Sequence, residues 1–421
     1  MAVVLLLAGV AGAVGRPFGI PAWLVPVLAA ALGVAVGTVS VGASEATLRS
    51  LASPVGFLLA AVPLSCLLDE LGFFEAAATA VGGRSRSVGG LWVLAALVTT
   101  VLNLDAAVVL LTPLYIRIAR REGRDPIALA VQPLVLSWLA SSALPVSNLT
   151  NLIAASETGA PAPAFLARLG LPSVAAVGIG WVAYRWAFRP GASGEGGGPP
   201  AAAPGGTGSG PGSRSWAVGR SEEPDVSARR ALEVGGTVVA AVLVGFVFGR
   251  YLGIAAWEVA LAADVVLLVR RGLKAPPWRA VPAGTAAVAV SLGVLATAAV
   301  AYLPVQRWLG GGTGVLGLAR AAGVSALTAN LINNLPALLV ILPGVSGQRA
   351  ELWAVLLGVN MGPLLVVTGT LASLLWVDTV RRMGVAVRAV DVTRTGVRVG
   401  LPGALGGLAV LLAMRAAGLA G

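Results

Sequence analysis

The sequence predicts an all-α, multi-spanning membrane protein made of two inverted-topology repeats. Three observations predict it. Of 421 residues, 57% are hydrophobic and only 11% charged, with a mean hydropathy of +0.89. A soluble chain carries about 25% charged residues, so too few polar side chains remain here to cover a water-facing surface. Apolar runs of about 20 residues, long enough to cross a bilayer core, recur from end to end. Polar interruptions inside those runs also fall at matching places in two halves of the chain.

The apolar segments span 2–15, 20–42, 51–69, 88–117, 127–156, 164–188, 231–249, 252–269, 280–304, 312–343, 350–377 and 399–418. The stretch from Met1 to Gly15 lacks the basic start of a secretion signal and is expected to be a first transmembrane helix. Between the sixth and seventh segments lies 190–230. Its core, Gly191 to Ser213, is almost entirely Gly, Pro, Ala, Ser and Thr. Such a stretch has no apolar surface to bury, which predicts a disordered cytoplasmic linker. It leaves 1–189 and 231–421 as the two repeats.

The fourth segment of each half, 88–117 and 312–343, is too long for a single crossing, which takes about 20 residues. Each is interrupted by Asn near its middle. The first reads Leu102-Asn103-Leu104-Asp105-Ala106-Ala107 and later Pro113. The second reads Ile332-Asn333-Asn334-Leu335-Pro336-Ala337 and later Pro343. Two half-helices meeting at a polar tip, as a re-entrant hairpin, fit this length better than one crossing. The fifth segments, 127–156 and 350–377, carry Leu144-Pro145-Val146-Ser147-Asn148-Leu149-Thr150-Asn151 and Asn360-Met361-Gly362-Pro363 followed by Thr368-Gly369-Thr370-Leu371-Ala372-Ser373. Proline, glycine and small polar residues at mid-membrane predict a helix broken at the bilayer centre.

A hairpin returns to its own side, so each half crosses five times, giving about ten crossings and two hairpins. Five is odd, and the second half is therefore inverted. Of the 29 Lys and Arg residues, only Arg49, Arg168, Arg250, Arg307, Arg320, Arg349 and Arg415 fall on one side; the other 22 share the opposite side. The positive-inside rule names that richer side cytoplasmic. Both termini are then outside, the linker is cytoplasmic, and the protein sits in the cell membrane. The same rule accounts for the basic runs Arg117 to Arg124 and Arg381 to Arg398. It also makes the net charge of +11 a feature of short loops rather than a nucleic-acid surface.

The chain has no His and one Cys. A zinc site, a Cys–His nucleophile and a Ser–His–Asp triad cannot be assembled, and no internal disulfide can form. No enzyme activity, metal or cofactor is expected. The four polar interruptions are expected to surround one cavity holding a small inorganic or organic solute. Positive half-helix ends and freed carbonyls are available there for binding. Asp105 stands out as a carboxylate within an apolar run, suited to carrying a proton or ligating a cation, or to capping a helix. Asn103, Asn333 and Asn334 at the tips, with Ser147, Asn148, Thr150, Asn151, Asn360, Thr368, Thr370 and Ser373 at the breaks, offer amide and hydroxyl contacts for substrate or ion. Glu258 and Asp264, in the eighth segment, are further proton-coupling candidates.

At these residues the sequence resembles the arsenite efflux permeases, the arsenical pump membrane proteins. They belong to the wider ion-transporter superfamily that includes sodium-coupled dicarboxylate and citrate carriers. The resemblance rests on Asp105-Ala106-Ala107 leading to Leu111-Thr112-Pro113, Val146 to Asn151, Asn333-Asn334-Leu335-Pro336, Asn360-Met361-Gly362-Pro363 and Thr368 to Trp376. The phrase Leu68-Asp69-Glu70-Leu71-Gly72-Phe73-Phe74 also looks like the family's loop after the third helix. The resemblance implies export of arsenite or antimonite by alternating access, driven by proton entry or assisted by a cytoplasmic ATPase; a homodimer is compatible with it. This chain departs from the family in having Leu104 directly before the hairpin Asp, where the family has Asn. The residues around Met361 and from Leu364 to Val367 also differ. A sodium- or proton-coupled carrier of organic or inorganic anions is the alternative, and an uncoupled channel the least expected. No tip carries Lys or Arg to meet a dianion, which favours a neutral substrate such as arsenite, a trihydroxide near pH 7.

Overall fold

Fourteen-residue Ala2–Gly15 (α1) is the first of a series of helices that make up the computed structural model. Its described residues are 1–15, 19–82, 87–189, 226–272, 281–312, 314–345 and 350–419. In the first half α1 is followed by α2 (Leu24–Ala35), α3 (Val41–Glu70), α4 (Phe73–Gly82), α5 (Val88–Val101), α6 (Leu104–Arg121), α7 (Pro126–Leu139), α8 (Leu149–Thr158) and α9 (Ala162–Ala187). The second half holds α10 (Val226–Phe248), α11 (Ala256–Arg270), α12 (Ala283–Val300), α13 (Val305–Leu309), α14 (Val315–Ile332), α15 (Asn334–Ile341), α16 (Ala350–Met361), α17 (Leu371–Arg382), α18 (Ala389–Thr395) and α19 (Leu401–Ala416). There is no strand among the described residues.

Local chemistry sets many of the boundaries. Ser40 Oγ accepts from the Ala43 amide and starts α3; Ser87 does the same for α5, through Gly90. Asp125 caps α7 through the Ile127 amide, with Pro126 at the first helical position, where its missing N–H costs nothing. Gly159, at φ 71°, ends α8 in the left-handed conformation that a side chain would oppose.

Several boundaries differ from the hydropathy reading. Helix α3 begins at Val41, not 51, because Ser44, Glu45 and Arg49 are polar without being helix-breaking. The last helix likewise begins at Ala389, well ahead of the apolar run at 399, and passes through a π turn at Gly396–Gly400. Segment 20–42 holds the twelve-residue α2, which ends near Gly37 at φ 71°, and then the start of α3 at Val41. Helix α10 starts at Val226, inside the expected linker; residues 190–225 of that linker lie outside the described residues. The short helices α4 and α13 have no counterpart among the apolar segments.

Among the described residues, five helical stretches are apolar and long enough to cross a membrane unaided: Val41–Glu70, Ala162–Ala187, Ala283–Val300, Val315–Ile332 and Ala389–Ala416. Their exposed faces carry Leu166, Leu171, Val174, Val182 and Trp186 on α9 and Leu405 on α19. Apolar side chains on the outer surface around a buried interior suit lipid rather than water. This is a multi-pass membrane protein.

The helices pack as two groups. In one, α1, α2 and α12 pack together, α12 and α11 lie against α3, and α10 contacts α11 and α4. The other holds the interrupted helices: α5 and α6 against α7, α14 and α15 against α16, α6 against α17, and α9 against α19. The groups meet where α3 contacts α8 and α6, and where α12 contacts α15. Within the second group α16 is buried along its whole length, and α7 nearly so. Gly358 makes that depth attainable: a Cβ there would lie 2.3 Å from the Ala322 carbonyl oxygen of α14.

Candidate functional site at the helix interruptions

All four expected interruptions are present as breaks in helical structure. Chain ends meet at Asn103 between α5 and α6, and at Asn333 between α14 and α15. Helix α7 is separated from α8 by a short 3-10 turn at Pro145–Ser147, and α16 from α17 by one at Val367–Gly369. The two breaks keep the same internal register. Helices α7 and α16 end at Leu139 and Met361, the turns begin at Pro145 and Val367, and α8 and α17 start at Leu149 and Leu371, so the offset between halves is constant.

Each helix leaving an interruption is capped by a side chain from it. Asn103 Oδ1 accepts from the Asp105 amide (2.7 Å), and Asn333 Oδ1 from the Leu335 amide (3.3 Å). Asn148 Oδ1 accepts from the Thr150 amide (3.2 Å), and Thr370 Oγ1 from the Ser373 amide (3.0 Å). These bonds satisfy donors that the start of a helix leaves open, each contributing about 1 kcal/mol. Asn333 adopts φ 78° and ψ 152°, a region that belongs to glycine and costs about 1–3 kcal/mol. Its Nδ2 donates to the Thr368 carbonyl (3.0 Å), tying the second tip to the second break through the Thr368 backbone.

The two broken helices cross, and their polar residues meet there. Asn360, near the end of α16, is buried among first-half residues. Its Oδ1 accepts from Asn148 Nδ2 (3.0 Å) and Thr150 Oγ1 (2.6 Å). Its Nδ2 donates to Asn151 Oδ1 (2.7 Å) and Ser142 Oγ (3.3 Å). Asn151 Nδ2 in turn donates to the carbonyls of Ser141 and Leu144 (2.9 Å each), groups freed where α7 stops. Ser147 Oγ lies 2.9 and 2.6 Å from the same two carbonyls. The second break is simpler: Trp138 Nε1 of α7 donates to Ser373 Oγ (3.2 Å), which lies 2.8 Å from Thr370 Oγ1.

Ser147, Asn148, Thr150, Asn151 and Asn360 thus form one network, and Thr370 and Ser373 a second. Asn103 and Asn333 sit at their tips as caps, and Asn334 is buried as the first residue of α15. Asp105 follows the Asn103 cap. Its Oδ1 is enclosed and has no hydrogen-bond partner among the described residues. Glu258 and Asp264 lie elsewhere, on α11, which packs on α3 and α10. Glu258 is exposed and caps its own helix through the Ala255 amide (2.7 Å). Asp264 is buried with an unpartnered Oδ1, beside a cavity of about 320 Å³ walled by Ala60, Pro63, Trp257 and Leu261.

Other residues complete the site without having been picked out from the sequence. Asn330 Nδ2 donates to the Gly362 carbonyl (2.8 Å) and its Oδ1 accepts from the Leu365 amide (3.2 Å). Thr100 Oγ1 donates to the Ala140 carbonyl (3.0 Å). Thr100 precedes Asn103 by the same step as Asn330 precedes Asn333, and that shared register was a usable signal. Ser141, Ser142 and Trp138 carried none. Three helix arginines have structural partners: Arg120 reaches the Met383 carbonyl (2.6 Å), Arg121 pairs with Glu75 (3.2 Å), and Arg320 donates to the Trp308 and Arg307 carbonyls (2.9 and 2.7 Å).

A crevice of about 670 Å³ lies where the two helix groups meet. It is lined by Thr47 and Ser50 of α3, Glu157 and Thr158 at the end of α8, Thr297 of α12 and Leu339 of α15. Of the broken helices it meets the end of α8, and none of Asn148, Thr150, Asn151 and Asn360 lines it.

Residues 3–368 match the family model described as citrate transporter. The chain belongs to the citrate transporter family. It is also similar over most of its length to proteins named arsenical pump membrane protein. The relative from Escherichia coli K12 is 24% identical over 401 residues, covering 89% of each chain, and that from Yersinia enterocolitica is 24% identical over 416 residues, covering 93% of each. A second Escherichia coli protein of that name is 25% identical over 410 residues, covering 89% of each. The protein is a membrane transporter of the citrate-transporter and arsenical-pump type, a family of carriers rather than enzymes.

Proposed function

We propose that this transporter exports arsenite or antimonite in exchange for protons, by alternating access between two inverted repeats. The observation that carries the reading is the enclosed, unpartnered Asp105 oxygen at the first tip, next to interruptions furnished only with amides and hydroxyls. A neutral trihydroxide both donates and accepts hydrogen bonds, as amides and hydroxyls do. The unpaired carboxyl oxygen is where a proton can be held during the exchange. The constant offset between the broken helices supports the repeats, and the five crossings per half expected from the sequence would make them inverted. The Arg distribution supports external termini and a cytoplasmic linker. The full-length likeness to arsenical pumps supports the substrate.

A carrier of citrate or a similar anion is the second reading. The family description favours it, and so do the starts of α6, α8, α15 and α17, which direct positive dipole ends into the interruptions.

Uptake into everted membrane vesicles under an imposed proton gradient separates the two. Arsenite accumulation that collapses with a protonophore is the expected result; citrate accumulation without arsenite uptake would transfer the assignment to the anion reading. Adding ATP without a gradient tests for the cytoplasmic ATPase, and crosslinking in the same membranes tests for the homodimer.

A further inference from the structure

Glycine draws α9 and α19 together. Gly403 and Gly407 stand on the face of α19 that meets α9. An added Cβ there would lie 2.7 Å from the Ala176 carbonyl oxygen and 2.9 Å from that of Pro172. Small residues of this kind let two helix backbones approach closely inside a membrane. The π turn at Gly396–Gly400, just ahead of α19, contacts α9 as well. Arg398 lies in that turn, Arg185 lies in the last turn of α9, and Arg189 follows just beyond it. The glycine seam thus carries an arginine from the far end of the chain to two others.

Arg185, Arg189 and Arg398 line one cavity of about 700 Å³. Its apolar walls include Ile179, Val182 and Pro402, and no Asp or Glu is among the described residues that line it. Val182 and Trp186 are exposed on the outer surface, so the cavity opens where lipid lies. Arg185 sits over the Trp181 ring, 5.5 Å from its centre. Indoles beside arginines mark the headgroup level of a bilayer.

The positive-inside rule accounts for the side these arginines occupy, but not for their meeting in one cavity. Like charges gathered without an acid repel one another and are relieved by an anion. Guanidinium forks match phosphate oxygens in pairs, and the apolar walls match a hydrocarbon chain. We propose that this cavity binds an anionic phospholipid of the cytoplasmic leaflet, its phosphodiester among the three arginines and an acyl chain along Ile179, Val182 and Pro402. A zwitterionic lipid brings its own cation into the cavity and is held less well. Because α19 also packs on α14 and α16, the lipid braces the helix group that carries the second tip and break. The binding depends on neither the substrate nor the coupling of the carrier reading.

Thermal unfolding of protein purified in a neutral detergent tests this, with phosphatidylglycerol or phosphatidylcholine of identical acyl chains added back. Phosphatidylglycerol is expected to raise the melting temperature of the wild type saturably, by about 3 °C more than phosphatidylcholine does. The triple variant Arg185→Gln/Arg189→Gln/Arg398→Gln is expected to lose that difference. A charge-matched triple, Arg382→Gln/Arg388→Gln/Arg394→Gln, removes exposed arginines that pair with Asp378 and Asp391 and is expected to keep it. Arg398→Gln alone should reduce the difference at least about twofold and carries the test if the first triple cannot be purified. Equal responses of the wild type to the two lipids, or equal losses in the two triple variants, would overturn the inference. So would glycerol phosphate alone reproducing the full rise, which would make the cavity a site for free phosphate.

Discussion

The two broken helices share spacing, caps and 3-10 turns, yet differ in what fills them. The first is a dense polar knot: Ser142, Asn148, Thr150 and Asn151 close on Asn360 from the opposite half. At the second, one indole N–H reaches a pair of hydroxyls, while Asn330 and Asn333 bind backbone groups. The tips differ in the same sense. Asp105 has a carboxyl oxygen in reserve, where the equivalent position of the second tip is Leu335. Two similar backbones have therefore been given unequal jobs. The first half carries most of the polar chemistry; the second contributes Asn360 and a strained tip.

The strongest test of this inequality is Asp105→Asn, which preserves shape and removes the ionisable group. Gradient-driven uptake is expected to fall at least about 100-fold while the protein still accumulates in the membrane, a loss typical of removing a proton carrier. Unchanged transport would make Asp105 a structural residue and equalise the tips.

The packing of the breaks can be compared directly. Asn360→Leu leaves Asn148 Nδ2, Thr150 Oγ1 and Asn151 Oδ1 without their Asn360 partner in a buried site and is expected to cost about 2–4 kcal/mol, read from unfolding in detergent. Trp138→Phe removes one donor from the simpler break and should cost about 1 kcal/mol. Equal losses would show that the first knot is no more critical than the second contact.

The tips sharpen the contrast further. Asn333→Ala loses a cap and the link to Thr368 while leaving alanine at a positive φ, and should cost about 1–3 kcal/mol. Asn103→Ala loses its cap alone, about 1 kcal/mol. The smallest effect is expected at Glu258→Gln, an exposed side chain at the start of α11: vesicle uptake should be unchanged. A marked loss there would bring the eighth segment into the coupling path.

Hydropathy was sufficient to locate the apolar helices, and the interruptions were legible because Asn, Pro and Gly are anomalous inside such runs. Both tips and both breaks fall within the segments read from the sequence. Boundaries at polar but helix-competent stretches, such as Ser44 to Arg49 ahead of α3, were not legible, because apolarity reports burial in lipid and not helicity. Nor were α4 and α13, which are too short to leave a periodic signal.

Within the site, residue type and position marked Asp105, Asn148, Asn151 and Asn360. Their partners were decided only in three dimensions. The contacts Asn360–Asn151 and Trp138–Ser373 each join one half of the chain to the other, and nothing in either local sequence specifies the partner. An amide at a break can cap a helix, bind a solute or tie one half of the chain to the other, and its two ends are chemically different. The Ser141 and Leu144 carbonyls, in the break after α7, hold Asn151 Nδ2 locally and leave its Oδ1 free, and Asn360 meets that oxygen only once α16 has packed against α8.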